Sequence, residues 1–133
     1  LYEEALLNLR VVEATMPRIG DHVAFMRAEL HERNSDYVRA SLAYGEAVER
    51  SPDIELRARA RVGYVRSLLR AGDPKAELEL SSLQFRYPEL PEAPALKLEL
   101  ARHPAREVTR RVAEHFVFFA KRVNGKVCHC CSP

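Results

Sequence analysis

Apolar side chains fall along this chain at helical spacing, and four stretches repeat one pattern: Ala5, Leu9, Val12 and Pro17; Ala40, Tyr44, Ala47 and Pro52; Ala76, Leu80, Leu83 and Pro88; Ala113, Val117, Ala120 and Gly125. In each, the later positions lie 4, 7 and 12 residues after the first, and the first positions are 35, 36 and 37 residues apart. A small residue followed by apolar residues one and two turns later makes a single buried helix face, and the Pro or Gly marks where that helix stops. A period in the mid-thirties is that of stacked helical hairpins, each of which relies on its neighbours to cover its apolar face.

Between these anchors the pattern predicts seven helices. Residues 2–15 carry Ala5, Leu6, Leu9 and Val12 on one face. Asp21 is placed to cap a second helix with Val23, Met26 and Leu30 inward, until Asn34-Ser35 interrupts it. Ser35 or Asp36 caps a third helix through Arg50, with Tyr37, Ala40, Tyr44, Ala47 and Val48 inward. The fourth, 54–70, presents Leu56, Ala60, Tyr64, Leu68 and Leu69 and ends at Ala71-Gly72-Asp73, where Gly suits a left-handed C-cap and Asp the next N-cap. A fifth helix runs over 74–86 with Pro74 in its first turn, the prolines 88, 91 and 94 make a stiff turn, and a short sixth helix follows over 94–102. Pro104 opens the seventh, to about Val123, and residues 126–133 have no periodicity. The expected division is a helical repeat domain over 1–123 and a flexible Cys/His-rich tail over 124–133. Because Tyr2-Glu3-Glu4-Ala5 matches the middle of a repeat, the domain is expected to begin mid-repeat, as a piece of something longer.

Composition narrows the function classes. With 21 basic and 19 acidic residues the formal charge is +2, which argues against a nucleic-acid binder, since that role wants a concentrated positive excess. No apolar run approaches the roughly 18 to 20 residues of a membrane-spanning helix. Three cysteines leave an odd thiol, which speaks against a settled disulfide framework and for a reducing, cytoplasmic setting.

The stretch Ser35-Asp36-Tyr37-Val38-Arg39-Ala40, with Tyr44, Ala47 and Pro52 after it, resembles the turn and second helix of a tetratricopeptide repeat. Gly72-Asp73 before Ala76, Leu80, Leu83 and Pro88 is similar, with one residue fewer between turn and alanine. The resemblance covers most of residues 3–90; Ala28 and Gly63 stand near the family's small first-helix positions, and related α-solenoids or a non-repeat bundle stay open as alternatives. What the resemblance implies is an all-α fold of antiparallel helical hairpins stacked as a short right-handed solenoid. It further implies a scaffold that binds a protein or peptide through a concave face and has no cofactor.

Three groups of residues are candidates for chemistry. Arg59, Arg66 and Arg70, spaced by seven and four, share one side of the fourth helix and could hold a carboxylate or an acidic peptide; the alternative is a solvated arginine face. Cys128, His129, Cys130 and Cys131 offer soft ligands for Cu(I) or Zn(II), or for redox work, although four contiguous ligands suit structural zinc poorly. That makes a thiol-functional protein the competing reading, against a plain exposed tail or a modification site. On the seventh helix Phe116 and Phe119 fit the inward stripe while Phe118 points elsewhere, next to His115, so a neighbouring repeat, a partner or a second copy is expected to pack there. Residues 104–133 carry six basic and two acidic groups, which favours acidic partners. His22, His31 and His103 stand apart with no nucleophile or paired acid at matching spacing and no Gly-rich phosphate loop occurs, so catalysis is not expected.

Overall fold

A computed structural model describes residues 1–102. They form six α-helices: α1 (Tyr2–Thr15), α2 (Gly20–Arg33), α3 (Tyr37–Arg50), α4 (Ile54–Ala71), α5 (Ala76–Arg86) and α6 (Ala93–Arg102), with one 3-10 turn at Pro17–Ile19. No strand occurs among the described residues, so the fold there is all-α. No described helix is long and apolar enough to cross a membrane. The expected seventh helix and the fourth copy of the repeat, Ala113 to Gly125, lie outside the described residues.

Local chemistry sets the helix ends. The Asp36 carboxylate accepts the Arg39 N–H at 3.1 Å, and Asp53 accepts the Glu55 N–H at 3.0 Å, so both cap the helix that follows. Helices α2 and α4 end alike. Gly72 takes φ 71° and Ser35 φ 60°; Asp73 N–H reaches back to the Leu68 carbonyl and Asp36 N–H to the His31 carbonyl. Each closes the paired hydrogen bonds of a left-handed C-terminal cap, one with glycine and one with serine.

Two expected boundaries shift. Asp21 lies inside α2, where its carboxylate accepts the neighbouring His22 N–H at 2.9 Å, because the 3-10 turn carries the chain into the helix without a side-chain cap. Helix α5 begins at Ala76, since Asp73 accepts the Lys75 N–H at 2.8 Å and holds Pro74 and Lys75 in a preceding turn.

Short connections make the successive helices α1 to α5 pack each on the next in sequence. α3 runs back along α2, and α4 runs back along α3, which brings α4 beside α2 and parallel to it: Arg59 sits over Phe25 and Arg66 meets Glu32. The core between them is made of small residues. Ala24, Ala28, Ala40, Ala47 and Ala60 are fully buried, which lets the helix axes approach closely, and Phe25, Tyr44 and Leu56 fill what remains. A second cluster is leucine-rich: Val62, Val65, Leu68, Leu69, Ala76, Leu80, Leu83 and Leu96 join α4 to α5 and α6, and Tyr64 packs against both clusters.

The α2 stripe differs from the expected one. Val23 is buried, but Met26 is 52% exposed, and the burial falls on Ala24, Phe25, Ala28 and His31. A helix with neighbours on several sides buries residues around much of its circumference, so its inward face is broader than one line of large apolar groups. Helix α1 contributes no fully buried residue at all.

Candidate functional site

The arginines of α4 do not form one open anion site. Arg66 and Arg70 converge on a carboxylate that the chain itself supplies. Glu32, with a side chain only 12% exposed, accepts Arg66 Nε at 2.5 Å and Arg66 Nη2 at 2.7 Å. It also accepts Arg70 Nη1 at 3.1 Å and the Tyr44 hydroxyl at 2.9 Å. Burial works to raise the Glu32 pKa, but the Arg66 and Tyr44 hydrogen bonds and the two guanidinium charges outweigh it, holding the carboxyl below its ordinary value. Burial, and next the bond to Glu32, push the Tyr44 hydroxyl pKa up.

Arg70 extends the chain of charges through Glu99 of α6 at 2.9 Å and lies over the Tyr37 ring at 5.8 Å. Glu32, Arg66, Arg70 and Glu99 thus tie α2, α4 and α6 together. Arg59 stands apart from this group, exposed, its guanidinium 5.1 Å from the Phe25 ring centroid. Among the described residues neither Arg57, Arg59 nor Arg61 makes an ion pair. Arg57 donates to the Pro52 carbonyl at 3.2 Å and shares with Arg61 the side of α4 turned away from Arg59, so of the three the exposed positive charge without a carboxylate is that of Arg59.

A second ring of charges joins α1, α2 and α3. Glu13 meets Arg27 at 3.3 Å and Arg50 at 2.6 Å, Arg50 meets Glu46 at 2.9 Å, and Arg27 also pairs with Glu46. Beside it lies a polar depression of about 510 Å³ with His22, Asp21 and Arg50 on its wall. Asp21 is already engaged: burial raises its pKa, but the His22 N–H and the Ser51 hydroxyl pull it below the ordinary value. His22 itself is exposed. His31 is buried, shares a 2.6 Å hydrogen bond with the Tyr2 hydroxyl through Nδ1, and has its pKa lowered by burial, so the imidazole is a neutral part of the α1/α2 contact.

A second opening among the described residues is apolar. Between α1 and α2 a groove of about 450 Å³ is lined by Ala5, Asn8, Leu9 and Val12 from the first helix and by Met26, Glu29, Leu30 and Arg33 from the second. The repeat pattern put Leu9, Val12 and Leu30 on a buried face; here they wall an open groove. Arg33, exposed at the end of α2, makes no ion pair among the described residues.

Sequence reasoning had Leu9, Leu30, Tyr44 and Gly63 in hand as packing positions. It missed Glu32, whose partners lie 34 and 38 residues away. Cys128, His129, Cys130 and Cys131, together with His103, His115, Phe116, Phe118 and Phe119, lie outside the described residues. Within the described residues no group of three or more His, Cys, Asp or Glu is placed to hold a metal ion. No family model matches this chain, and comparison with curated proteins and with solved structures finds no match.

Proposed function

We propose that this chain is a non-catalytic scaffold of the tetratricopeptide-like kind, whose task is to hold a protein or peptide partner against a helical face. The observation that carries this reading is the apolar groove between α1 and α2. Protein interiors are close-packed, and a connected apolar surface rimmed by charge marks a place where another chain binds. The helices behind the groove supply what such a surface needs: α2, α3 and α4 are locked by alanine contacts and by the Glu32 hydrogen bonds, so the α2 wall of the groove is preformed. Exposed Arg59 on α4, which has no ion pair among the described residues, adds positive charge that favours an acidic partner.

Selection of displayed helical and extended peptides against the purified chain tests the reading. Enriched ligands should lose about tenfold or more in affinity when Leu30→Asp places a charge in the groove, in keeping with the loss of a buried anchor. A selection that enriches nothing, or only ligands indifferent to both Leu30→Asp and Arg59→Glu, overturns it.

A further inference from the structure

The ring of charges that joins α1, α2 and α3 has a counterpart on α3, α4 and α5 in which the charges do not balance. The repeat carries α1 onto α3 and α3 onto α5 through Ala5, Ala40 and Ala76, and the matched left-handed ends at Ser35 and Gly72 carry α2 onto α4. On that register Glu13 corresponds to Val48, Arg27 to Tyr64, Glu46 to Ser82 and Arg50 to Arg86, while Gly20 and Ala24 correspond to Arg57 and Arg61. In the first set two acids neutralise two arginines, since Glu13 and Glu46 each pair with both Arg27 and Arg50. In the second, Val48 and Tyr64 pack against the alanine-rich core instead, both acids are gone, and Arg57, Arg61 and Arg86 are all arginine.

The first set also gives the direction of these side chains. A Cβ at Gly20 would stand 3.2 Å from Arg50 Nη1, so a side chain at that register leaves its helix toward the arginine of the next one. Arg57 holds this register on α4, Arg61 follows one turn later on the same side, and Arg86 is the last residue of α5. Arg57 and Arg61 are half-buried, and the Nε of each is sealed from solvent without a hydrogen-bond partner. Arg57 Nη2 donates to the Pro52 carbonyl at 3.2 Å. Among the described residues none of the three pairs with a carboxylate, Asp53 and Glu89 at the neighbouring turns included. Guanidinium groups drawn out of water without a counter-charge are costly, and an anion from outside offsets that cost.

We propose that Arg57, Arg61 and Arg86 form a binding site for a phosphomonoester dianion. A carboxylate would bring one charge and two oxygens to three cations, whereas a phosphoryl group brings nearly two charges and three acceptor oxygens. Because the sealed Nε atoms hold the side-chain stems in the packing, the Nη donors are positioned before the ligand arrives. Arginine clusters are a recurring means of recognising phosphorylated ligands. The site lies on the side of α4 turned away from Arg59 and shares no residue with the α1/α2 groove, so it adds a separate contact to the scaffold reading.

The probe is inorganic phosphate, titrated at constant ionic strength and about pH 7.5 into the isotope-labelled whole chain and read at the arginine Nε–H signals by NMR. The Arg57 and Arg61 signals should shift saturably. Arg86→Gln, a change at an exposed position, should weaken binding about tenfold, as for the loss of one charge-assisted contact, and the exposed Arg10→Gln on α1 should leave it unchanged. Shifts that never saturate and that sodium chloride reproduces overturn the proposal, as does equal weakening by Arg10→Gln. Saturation that appears only after Glu107→Gln and Glu114→Gln also overturns it, because an acid of residues 103–133 then holds the site. A parallel titration with N-acetyl-phosphoserine amide separates the sources of the dianion. Tighter binding than inorganic phosphate supports the proposal with a phosphorylated side chain of a partner as ligand, and tighter binding of inorganic phosphate supports it with the free ion. Loss of this site leaves the groove reading standing, since ligands that depend on Leu30 do not require these arginines.

Discussion

Helix α3 and helix α1 carry the same stripe of a small residue and two apolar ones, yet Ala40, Tyr44 and Ala47 are buried while no residue of α1 is. The difference lies in the neighbours. α3 is sandwiched between α2 and α4, whereas α1, among the described helices, packs on α2 and reaches α3 through the Glu13–Arg50 ion pair. A repeated stripe therefore says which face of a helix is ready to be covered. Whether it is covered depends on the elements beside it, as expected when stability is a sum of contacts between neighbouring units.

The largest test of that contrast is truncation at the matched positions. Tyr44→Ala should cost about 3–5 kcal/mol in chemical denaturation, as for a large buried side chain removed from a core. Leu9→Ala, at the same place in α1, should cost less than about 1 kcal/mol, since its burial is only partial. Equal losses would mean that the α1/α2 groove is closed in solution.

Next come the two charge networks. Glu32→Gln removes an almost buried carboxylate that holds two arginines, and should cost about 2–3 kcal/mol by leaving Arg66 without its charge partner. Glu13→Gln, in the more exposed ring, should stay within about 1 kcal/mol. A Glu13→Gln loss as large as that of Glu32→Gln would remove the distinction between the networks.

The glycines give a smaller and oppositely signed pair. A Cβ on Gly63 would stand 2.5 Å from Tyr44 Cζ, whose hydroxyl is anchored to Glu32, so Gly63→Ala should lose about 1–2 kcal/mol even after its gain in helix propensity. A Cβ on Gly45 meets Tyr64 at an ordinary 3.8 Å, so Gly45→Ala should raise stability by about 0.5–1 kcal/mol. Thermal melts of the two variants should move in opposite directions, and a shared direction would show that the Tyr44 ring is free to yield.

Acid should then separate the two regions by their titrating groups. His31, whose pKa burial lowers, leaves the unfolded chain binding the extra proton, so stability begins to fall as pH drops below the ordinary value of 6.5. Glu32, with its pKa lowered by the hydrogen bonds and charges that outweigh burial, contributes stability that is full above the ordinary value of 4.5 and is lost as pH falls through its lower folded value. Denaturation midpoints across this range should show both steps. His31→Gln should remove the first and Glu32→Gln the second, and a profile unchanged by either variant would exclude these groups as its source.

Much of the fold was legible. The alanine–tyrosine–alanine stripe of α3, the cap at Asp36 and the left-handed end at Gly72 all stood in the sequence because each rests on residues within a turn or two of one another. Met26, expected inward, lies outward because the close contacts of α2 use Ala24 and Ala28 and not a line of large apolar groups. The site was less legible. Arg59, Arg66 and Arg70 share one helix side, and nothing in that spacing tells that Glu32 occupies two of them from another hairpin. The groove was invisible for the complementary reason: Leu9 and Leu30 look like core until the helix that would cover them is sought.

The four hydrogen bonds that Glu32 accepts from Tyr44, Arg66 and Arg70 also bear on how α4 finds its alignment with α2. A carboxylate pressed against Tyr44 is costly until a guanidinium reaches it, and Arg66 meets it with two parallel bonds of fixed shape. Sliding α4 along α2 by one turn would move that fork by about 5.4 Å, well beyond hydrogen-bond reach. Alanine-on-alanine surfaces are smooth and tolerate such slippage; this one acid acts as the notch that sets the register.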